Sequence, residues 1–222
     1  MKVLKTNMIR FLAENYDYKA NTYETNKINL LSNPTSLYTK QPTVYYGLMY
    51  LAKNAKKEVK IHTPYIICND YMYNELKNIK VPTTIMTNSA ENNGNIFGAV
   101  DYLNHKKDII NTGVTIKEYE GGISYHGKSM TIDDDIAIVG SFNMDMRSAY
   151  IDTELMLVIN SKNINKQLKA SMEEYEKKAA TVKNETEYSH IPEGMKMKEL
   201  SDKKKNIKAW FGWAMNGLRF LF

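Results

Sequence analysis

His126, Lys128 and Asp133 stand in the pattern H-x-K-x4-D, and Ser141 and Asn143 follow in the pattern G-S-x-N. The first three residues offer a nitrogen nucleophile, a cation and a carboxylate, and the last two offer neutral hydrogen-bonding groups. Residues two apart on a strand project from the same face, and the pairs 126/128 and 141/143 both have this spacing. The spacing therefore predicts two pairs of reactive or anion-binding side chains on short strands.

The sequence between the two pairs consists of two apolar runs, MTI and IAIV, joined by three aspartates. Such runs predict adjacent strands with a turn at the aspartates, so the four side chains converge at one end of a sheet. A phosphodiester can react there: imidazole attacks phosphorus, and the cation and neutral donors hold the non-bridging oxygens as charge develops. Imidazole has an unperturbed pKa of ~6.5, so it is substantially neutral and nucleophilic at physiological pH.

Residues Gly122 to Ser129 also satisfy the phosphate-loop pattern G-x-x-x-x-G-K-S. That pattern binds phosphate where a strand precedes the loop and a helix follows it. The downstream run has β-branched residues and an aspartate cluster, without helical periodicity. We therefore predict a strand after Lys128 and reject the phosphate loop.

The run HGKSMTIDDDIAIVGSFN resembles the catalytic signature of the phospholipase D superfamily at every signature position. The resemblance implies that His126 forms a phosphohistidine, while Lys128, Ser141 and Asn143 act on the phosphate. It also implies that Glu154, in the run IDTELMLVIN, accepts a hydrogen bond from His126 and fixes its tautomer. The motif aspartate is expected to be structural, tying the motif strand to its turn.

Enzymes of this superfamily combine two copies of the motif in one active site, and the second histidine protonates the leaving alcohol. This chain carries one copy. His105 has a lysine two residues on but lacks the motif aspartate, and His62 and His190 have proline at the lysine position. The resemblance therefore implies a second motif-bearing half, either a separate chain or a second copy of this chain in a homodimer.

Two further stretches resemble bacterial cardiolipin synthases rather than the nuclease branch. NMDMRSAYIDTE continues the match after the motif, and HTPYI resembles the TPYF segment that precedes the second motif in those enzymes. The similarity covers about residues 28–160, in the order of a C-terminal half. It implies a substrate-binding set: Thr63, Pro64, Tyr65, Asp145 and Arg147.

By this resemblance the chain is expected to be the C-terminal catalytic half of a phospholipase D-like enzyme on the cardiolipin synthase side. Such an enzyme moves a phosphatidyl group of a phospholipid to an alcohol or water and needs no metal or organic cofactor. Two alternatives stay open. One is a homodimeric phosphodiesterase, including a nuclease, with one motif per subunit; the other is an inactive membrane-binding fragment of a split gene. Nucleic acid is the less favoured partner: a basic, aromatic-lined groove would favour it, whereas the tryptophan-rich tail and the segments TPYI and NMDMRS favour lipid.

The chain has 222 residues, a formal net charge of +5 and one cysteine. The length allows one substantial core, and the charge suits an acidic partner such as an anionic membrane surface or nucleic acid. A single cysteine excludes an internal disulfide. The first residues lack the apolar segment of a secretory signal, and no run approaches the ~20 apolar residues that span a bilayer. These observations predict peripheral membrane association on the cytoplasmic side.

The order of the predicted elements indicates an α/β fold: a mixed β-sheet flanked by helices on both faces, with an amphipathic C-terminal helix. Predicted helices cover 42–57, 70–79 and 98–113, with a further helical face at Ile164, Leu168, Met172 and Tyr175. Predicted strands cover 58–66, 83–88, 114–119 and 151–160, beside the two motif strands. We divide the chain into a connector at 1–29, a phospholipase D-like catalytic domain at 30–180, and a linker with a basic amphipathic tail at 181–222.

The tail SDKKKNIKAWFGWAMNGLRFLF has an apolar helical stripe, several lysines and two tryptophans. Such a helix can lie in the interface of an anionic membrane. The predicted membrane contacts are Lys204, Lys205, Lys208, Trp210, Phe211 and Trp213. An equally weighted alternative is a helix docked on the protein's own core or on the second half, because docking uses the same stripe.

Overall fold

The computed structural model describes residues 19–20, 22–36, 38, 40–211, 217 and 219–221. Within these residues the strands are β1 Lys27–Ser32, β2 Val59–His62, β3 Ile66–Ile67, β4 Thr83–Asn88, β5 Thr115–Tyr119, β6 Ser129–Ile132, β7 Ile136–Gly140, β8 Met144–Asp145, β9 Leu155–Asn160, β10 Ala179–Val182 and β11 Tyr188–His190. The helices are α1 Thr43–Lys53, α2 Asp70–Lys77, α3 Ile96–Asn111, α4 Met146–Tyr150, α5 Lys162–Glu176 and α6 Asp202–Phe211, and a 3-10 turn covers Arg219–Leu221.

Nine of the described strands form one mixed sheet, in the order β1-β9-β7-β6-β2-β4-β5-β10-β11. Strands β2, β4 and β5 run parallel, and their other neighbours pair antiparallel. The parallel strands are joined by crossovers that contain α2 and α3, because parallel neighbours cannot be joined by a tight hairpin. Strands β3 and β8 form a separate parallel pair.

Alternation along β2 shows how helices cover both faces of the sheet. Ile61 lies in the main apolar core together with Tyr45 and Met49 of α1. The next residue, His62, lies on the opposite face and contacts Glu176 of α5. The predicted α/β class, with helices on both faces of a mixed sheet, is therefore confirmed.

Strands β6 and β7 form the hairpin that carries the motif, as predicted. At its closed end Asp133 has a left-handed backbone (φ 51°) and accepts hydrogen bonds from the backbone N–H groups of residues 56–58. Burial acts to raise the pKa of Asp133, but these donors outweigh it and the pKa lies below its usual value. The four residues of β6, about 13 Å of extended chain, separate Asp133 from Lys128. Asp133 therefore closes the hairpin, far from the open end.

The first predicted helix and the strand that follows it are both longer than the observed elements. The helix predicted at 42–57 ends at Lys53, since the N–H groups of residues 56–58 bind Asp133 instead of continuing a helix. The strand predicted at 58–66 ends at His62. Pro64 has no N–H for a sheet ladder, and Ile66 pairs with Met144 in the small second sheet.

Helix α4 was not predicted, and it shortens the strand predicted at 151–160. Asp145 caps its first turn by accepting from the backbone N–H of Ser148. Strand β9 begins only at Leu155. The large sheet also extends beyond 30–180: β1 spans the predicted boundary at 29/30, and β10 and β11 add two strands at the other edge.

The basic tail docks on the rest of the chain at Lys204. This side chain is 6% exposed, and its ammonium donates to the carbonyl oxygens of Ala90 (2.8 Å), Glu91 (2.5 Å) and Asn93 (3.0 Å). Lys204 therefore cannot contact a membrane, and that prediction is wrong. A lysine whose ammonium donates to three backbone carbonyls resembles any exposed lysine in sequence, which is why the pattern did not reveal it.

A second contact lies near the end of the chain, where Arg219 forms an ion pair with Asp101 of α3 at 2.7 Å. Between these contacts Lys205, Lys208 and Trp210 are exposed, and the tryptophan is 76% exposed. Trp213 lies outside the described residues, as does the side chain of Phe211. Among the described helices, none has the length and apolar character needed to cross a bilayer.

Candidate active site

The two polar pairs lie at the open end of the β6–β7 hairpin. His126 and Lys128 immediately precede β6, and Ser141 and Asn143 immediately follow β7. The backbone N–H of Gly140 donates to the carbonyl of Lys128 at 3.2 Å, which keeps the two chain ends side by side. The prediction that these residues lie on strands is wrong, because all four are in loops. All four residues nevertheless lie at the same end of the hairpin, and among the hydrogen bonds of the described residues none joins the side chains of one pair to those of the other.

Lys128 and His126 are in direct contact. The ammonium lies 2.7 Å from ring Nδ1 and donates to the His126 carbonyl at 2.9 Å. A ring nitrogen that accepts from an ammonium carries no proton, so this imidazole is neutral. Burial and then the Lys128 charge lower the pKa of His126 below its usual value. The ring is therefore predominantly neutral at physiological pH.

Glu154 serves two hydroxyl groups instead of the histidine. Its carboxylate accepts from the hydroxyl of Ser141 and from that of Ser148, the latter at 3.1 Å. Among the hydrogen bonds of the described residues, none joins Glu154 to His126, so the predicted contact between them is absent from this structure. Glu154 therefore fixes the Ser141 hydroxyl at the end of β7. The imidazole ring of His126 is held by Lys128 instead.

Asn143 has a side-chain oxygen that the described residues leave without a partner. Its backbone N–H and its amide nitrogen both reach the Ser148 hydroxyl at 3.3 Å, while Oδ1 is buried and unpaired. A buried polar atom without a partner is costly, so the amide is suited to a ligand that pairs with it in one of its two orientations. Ser148, whose hydroxyl joins Asn143 to Glu154, was not among the predicted site residues because it stands outside the G-S-x-N pattern.

Asp145 and Arg147 have separate surroundings. Asp145 is 2% exposed and caps α4, and burial raises its pKa to about 7. Arg147 is half-exposed and forms an ion pair with Asp152 at 3.1 Å. Within the described part of the chain, neither residue lines the two clefts that meet at His126. Asp145 is a carboxyl group that can carry a proton near neutral pH, and Arg147 is a surface cation.

Of the three residues predicted upstream, two line a cleft beside His126. The Thr63 hydroxyl accepts from the backbone N–H of Met144 at 3.1 Å, so it ties the end of β2 to β8. Pro64 and Tyr65 line a cleft of about 420 Å³ that is rich in amide groups. Its lining residues are Pro64, Tyr65, Asn93, Gly94, Asn95, Ser124 and His126.

A second cleft, of about 490 Å³, opens on the other side of His126 and is aromatic. The rings of Tyr125 and Tyr175 pack edge to face with their centroids 4.8 Å apart, and Tyr119 contacts both. Its lining residues are Tyr119, Ile123, Ser124, Tyr125, His126, Gly127, Ser129, Leu168, Ser171, Met172 and Tyr175. His126 therefore lies between an aromatic cleft and an amide-rich cleft.

A buried network behind the site includes His62, a histidine that lies outside the motif because proline stands two residues after it. Its ring nitrogens lie 3.2 Å from the Tyr125 hydroxyl and 3.2 Å from Glu176, and burial lowers its pKa. Glu176 also accepts from Lys117 at 2.6 Å. Burial opposes ionisation of Glu176, but hydrogen bonds from His62 and Lys117 outweigh it and lower its pKa to about 2. The network fixes Tyr125, the neighbour of His126.

Residues 48–175 match the family model described as "Cardiolipin synthase, PLD-like domain". Cardiolipin synthase 1 of Staphylococcus epidermidis (strain ATCC 12228) is 30% identical over 159 residues, which are 70% of this chain and 32% of the relative. Cardiolipin synthase 1 of Staphylococcus aureus (strain COL) is 29% identical over 159 residues, 70% of this chain and 31% of the relative. The chain thus spans about a third of the length of these curated relatives.

Two solved structures share the fold at 16% sequence identity. Nuc, a phospholipase D family member from Salmonella typhimurium, has a TM-score of 0.56, with 70% of this chain and 97% of that chain covered. Phosphatidylserine synthase from Haemophilus influenzae has a TM-score of 0.63, with 88% of this chain and 48% of that chain covered. At this level of identity the likeness shows the architecture alone.

Proposed function

The chain belongs to the cardiolipin synthase, PLD-like domain family, and on this premise we propose that it is the catalytic lobe of a phosphatidyltransferase or phosphodiesterase that acts on phospholipid. In the proposed reaction Lys128 releases the unprotonated ring nitrogen of His126, which attacks phosphorus as the bond to the leaving oxygen breaks. That oxygen takes a proton from a general acid on the second motif, and the same group later accepts the proton of the incoming alcohol or water. The resulting phosphohistidine is then attacked by a second alcohol or by water, which restores the free ring. Lys128, Ser141 and Asn143 stabilise the charge on the non-bridging oxygens.

The observation that carries this proposal is the position of a neutral His126, with Lys128 beside it, between two uncharged clefts. Among the residues that the structure describes, His126 is the one titratable group other than tyrosine that lines either cleft. A phospholipid headgroup phosphate has one anionic charge for Lys128, an apolar glyceride part that suits the aromatic cleft, and a hydroxylated part that suits the amides. A nucleic acid strand would instead require a track of lysines and arginines.

The test uses two phosphodiesters with the same leaving group, phosphatidyl-p-nitrophenol and thymidine 5′-p-nitrophenyl phosphate. p-Nitrophenolate leaves without a general acid, so one motif is sufficient for the first step. We expect a burst of p-nitrophenol and acid-labile phosphate on the protein from the lipid ester. A burst from the nucleotide ester alone would replace the proposal by a nuclease, and no burst from either would favour the non-catalytic alternative.

Lys128→Met and Asn143→Ala are expected to slow this burst. Removing one donor to a developing oxyanion typically lowers the rate ~10²–10³-fold. The substrate concentration for the half-maximal burst rate should change little, because the donors act mainly on the transition state. Rapid-quench measurement separates the two parameters, and an effect confined to the half-maximal concentration would assign the residues to substrate binding. Lys77→Met, an exposed lysine on α2, is the matched control.

We also propose that the exposed part of α6 contacts an anionic membrane through Lys205, Lys208 and Trp210. Each lysine near such a surface is worth ~1 kcal/mol, so Lys205→Gln and Lys208→Gln should each weaken binding about fivefold. Added salt should weaken the binding of the unaltered chain. The measurement is co-sedimentation with phosphatidylglycerol vesicles, with Lys77→Gln as the control. Equal sedimentation of all variants would contradict the proposed membrane contact, and the docking of α6 on the rest of the chain would then be its one supported role.

A further inference from the structure

Asn88, the last residue of β4, has a side chain whose hydrogen-bonding capacity is completely used. Its amide nitrogen donates to the carbonyl oxygens of Pro64 (2.8 Å) and Tyr125 (2.9 Å). Its amide oxygen accepts from the backbone N–H of Tyr125 (2.8 Å) and from the side chain of Asn92 (3.1 Å). Two donors and two acceptor sites are all that an asparagine has. A flipped amide would face two carbonyls with its oxygen, so the network determines this orientation.

These contacts replace a strand partner for the loop that carries the nucleophile. Residues 120–128 between β5 and β6 have no sheet pairing. Tyr125 nevertheless has both backbone groups bonded by Asn88, as a neighbouring strand would bond them. The next residue is His126, and Pro64 forms the facing wall of the amide-rich cleft. A side chain that is 1% exposed therefore joins the histidine loop to the opposite wall.

We propose that Asn88 is a positioning residue that sets His126 between the two clefts by bonding both backbone groups of Tyr125. The proposal rests on the proposed function, in which His126 is the nucleophile. Placement decides reactivity here, because a displacement of about 1 Å costs on the order of 10²-fold in rate. The hydrogen bond between the Tyr125 hydroxyl and His62 fixes the side chain of Tyr125, whereas Asn88 fixes its backbone.

The chain offers a matched control in Asn165 of α5. This asparagine is 2% exposed, and its amide nitrogen donates to the carbonyl of Ile136 at 2.7 Å, at the closed end of the same hairpin. Asn88→Ala and Asn165→Ala each remove a buried amide that bonds backbone groups. Both should lower the thermal midpoint of unfolding. Asn88→Ala removes hydrogen bonds near the open end of the β6–β7 hairpin, whereas Asn165→Ala removes one at its closed end.

The experiment measures the ring pKa of His126 by NMR in the substrate-free chain, together with the burst rate from phosphatidyl-p-nitrophenol. In Asn88→Ala we expect the burst rate to fall about 10²-fold, with little change in the substrate concentration for the half-maximal rate. The ring pKa should rise towards its usual value, since the released loop exposes the ring and separates it from Lys128. In Asn165→Ala both values should match the unaltered chain.

If Asn88→Ala does not fold, Asn88→Ser carries the same comparison, because a hydroxyl can still pair with one of the three backbone groups. Equal effects of the Asn88 and Asn165 variants on the His126 pKa and the burst rate would overturn the proposal and leave Asn88 a stabilising residue only. The ring pKa requires no substrate, so the placement is tested even if the nucleophile proves to be another residue. Label that survives His126→Ala would refute the proposed function separately.

Discussion

His126→Ala is expected to abolish the phosphoenzyme, with no burst of p-nitrophenol and no acid-labile phosphate on the protein. Alanine removes the nucleophile itself, and none of the other three histidines stands in the full motif. His62 is buried on Glu176 and His105 contacts Asp101, so neither is placed to replace it. The exposed His190 supplies the control, since His190→Ala should label normally.

The pH dependence of labelling provides a second measure of the same residue. Burial and the Lys128 charge lower the His126 pKa, so the neutral, nucleophilic ring persists to lower pH than for an ordinary histidine. The labelling rate should therefore stay on its plateau below ~6.5, the usual histidine value, and fall only at lower pH. Lys128→Met should move this acidic limb towards higher pH. Phosphate trapped on another residue, or label retained in His126→Ala, would contradict the assignment.

The sequence was sufficient to predict the fold class because the apolar periodicity of the motif strands and of α5 was clear. Apolar alternation around the aspartates predicted the β6–β7 hairpin, and the four-residue spacing Ile164, Leu168, Met172 predicted α5. Predicted ends were less accurate because they depend on long-range hydrogen bonds. The end of α1 is set by Asp133, some 80 residues further along the chain. Pattern analysis cannot detect such a contact.

The candidate site was predicted in its residue types but not in all of its contacts. The spacing was sufficient to place His126, Lys128, Ser141 and Asn143 together. It could not show that Glu154 binds two serine hydroxyls, since carboxylate partners depend on side-chain directions in loops. Residues that act through backbone groups, such as Asn88, carry no local pattern. An asparagine at the end of a strand otherwise indicates a turn.

The isolated monomer is expected to be nearly inactive on natural phospholipids although it labels from the p-nitrophenyl ester. An alkoxide is a poor leaving group without a proton, and the resemblance implies that the second motif supplies that proton. General acid catalysis is typically worth ~10²–10⁴-fold, so turnover should be reduced by at least that factor. The two substrates together separate a missing acid from a missing nucleophile. Loss of both activities would indicate an inactive lobe.

Two rescues distinguish the possible partners. Activity that appears only with a separate chain bearing its own H-x-K-x4-D supports a two-lobe enzyme. Activity that rises with the square of protein concentration, with a dimer in mass measurements, supports two copies of this chain, since a two-fold interface brings the same patch together twice. Full turnover by a demonstrated monomer would refute both.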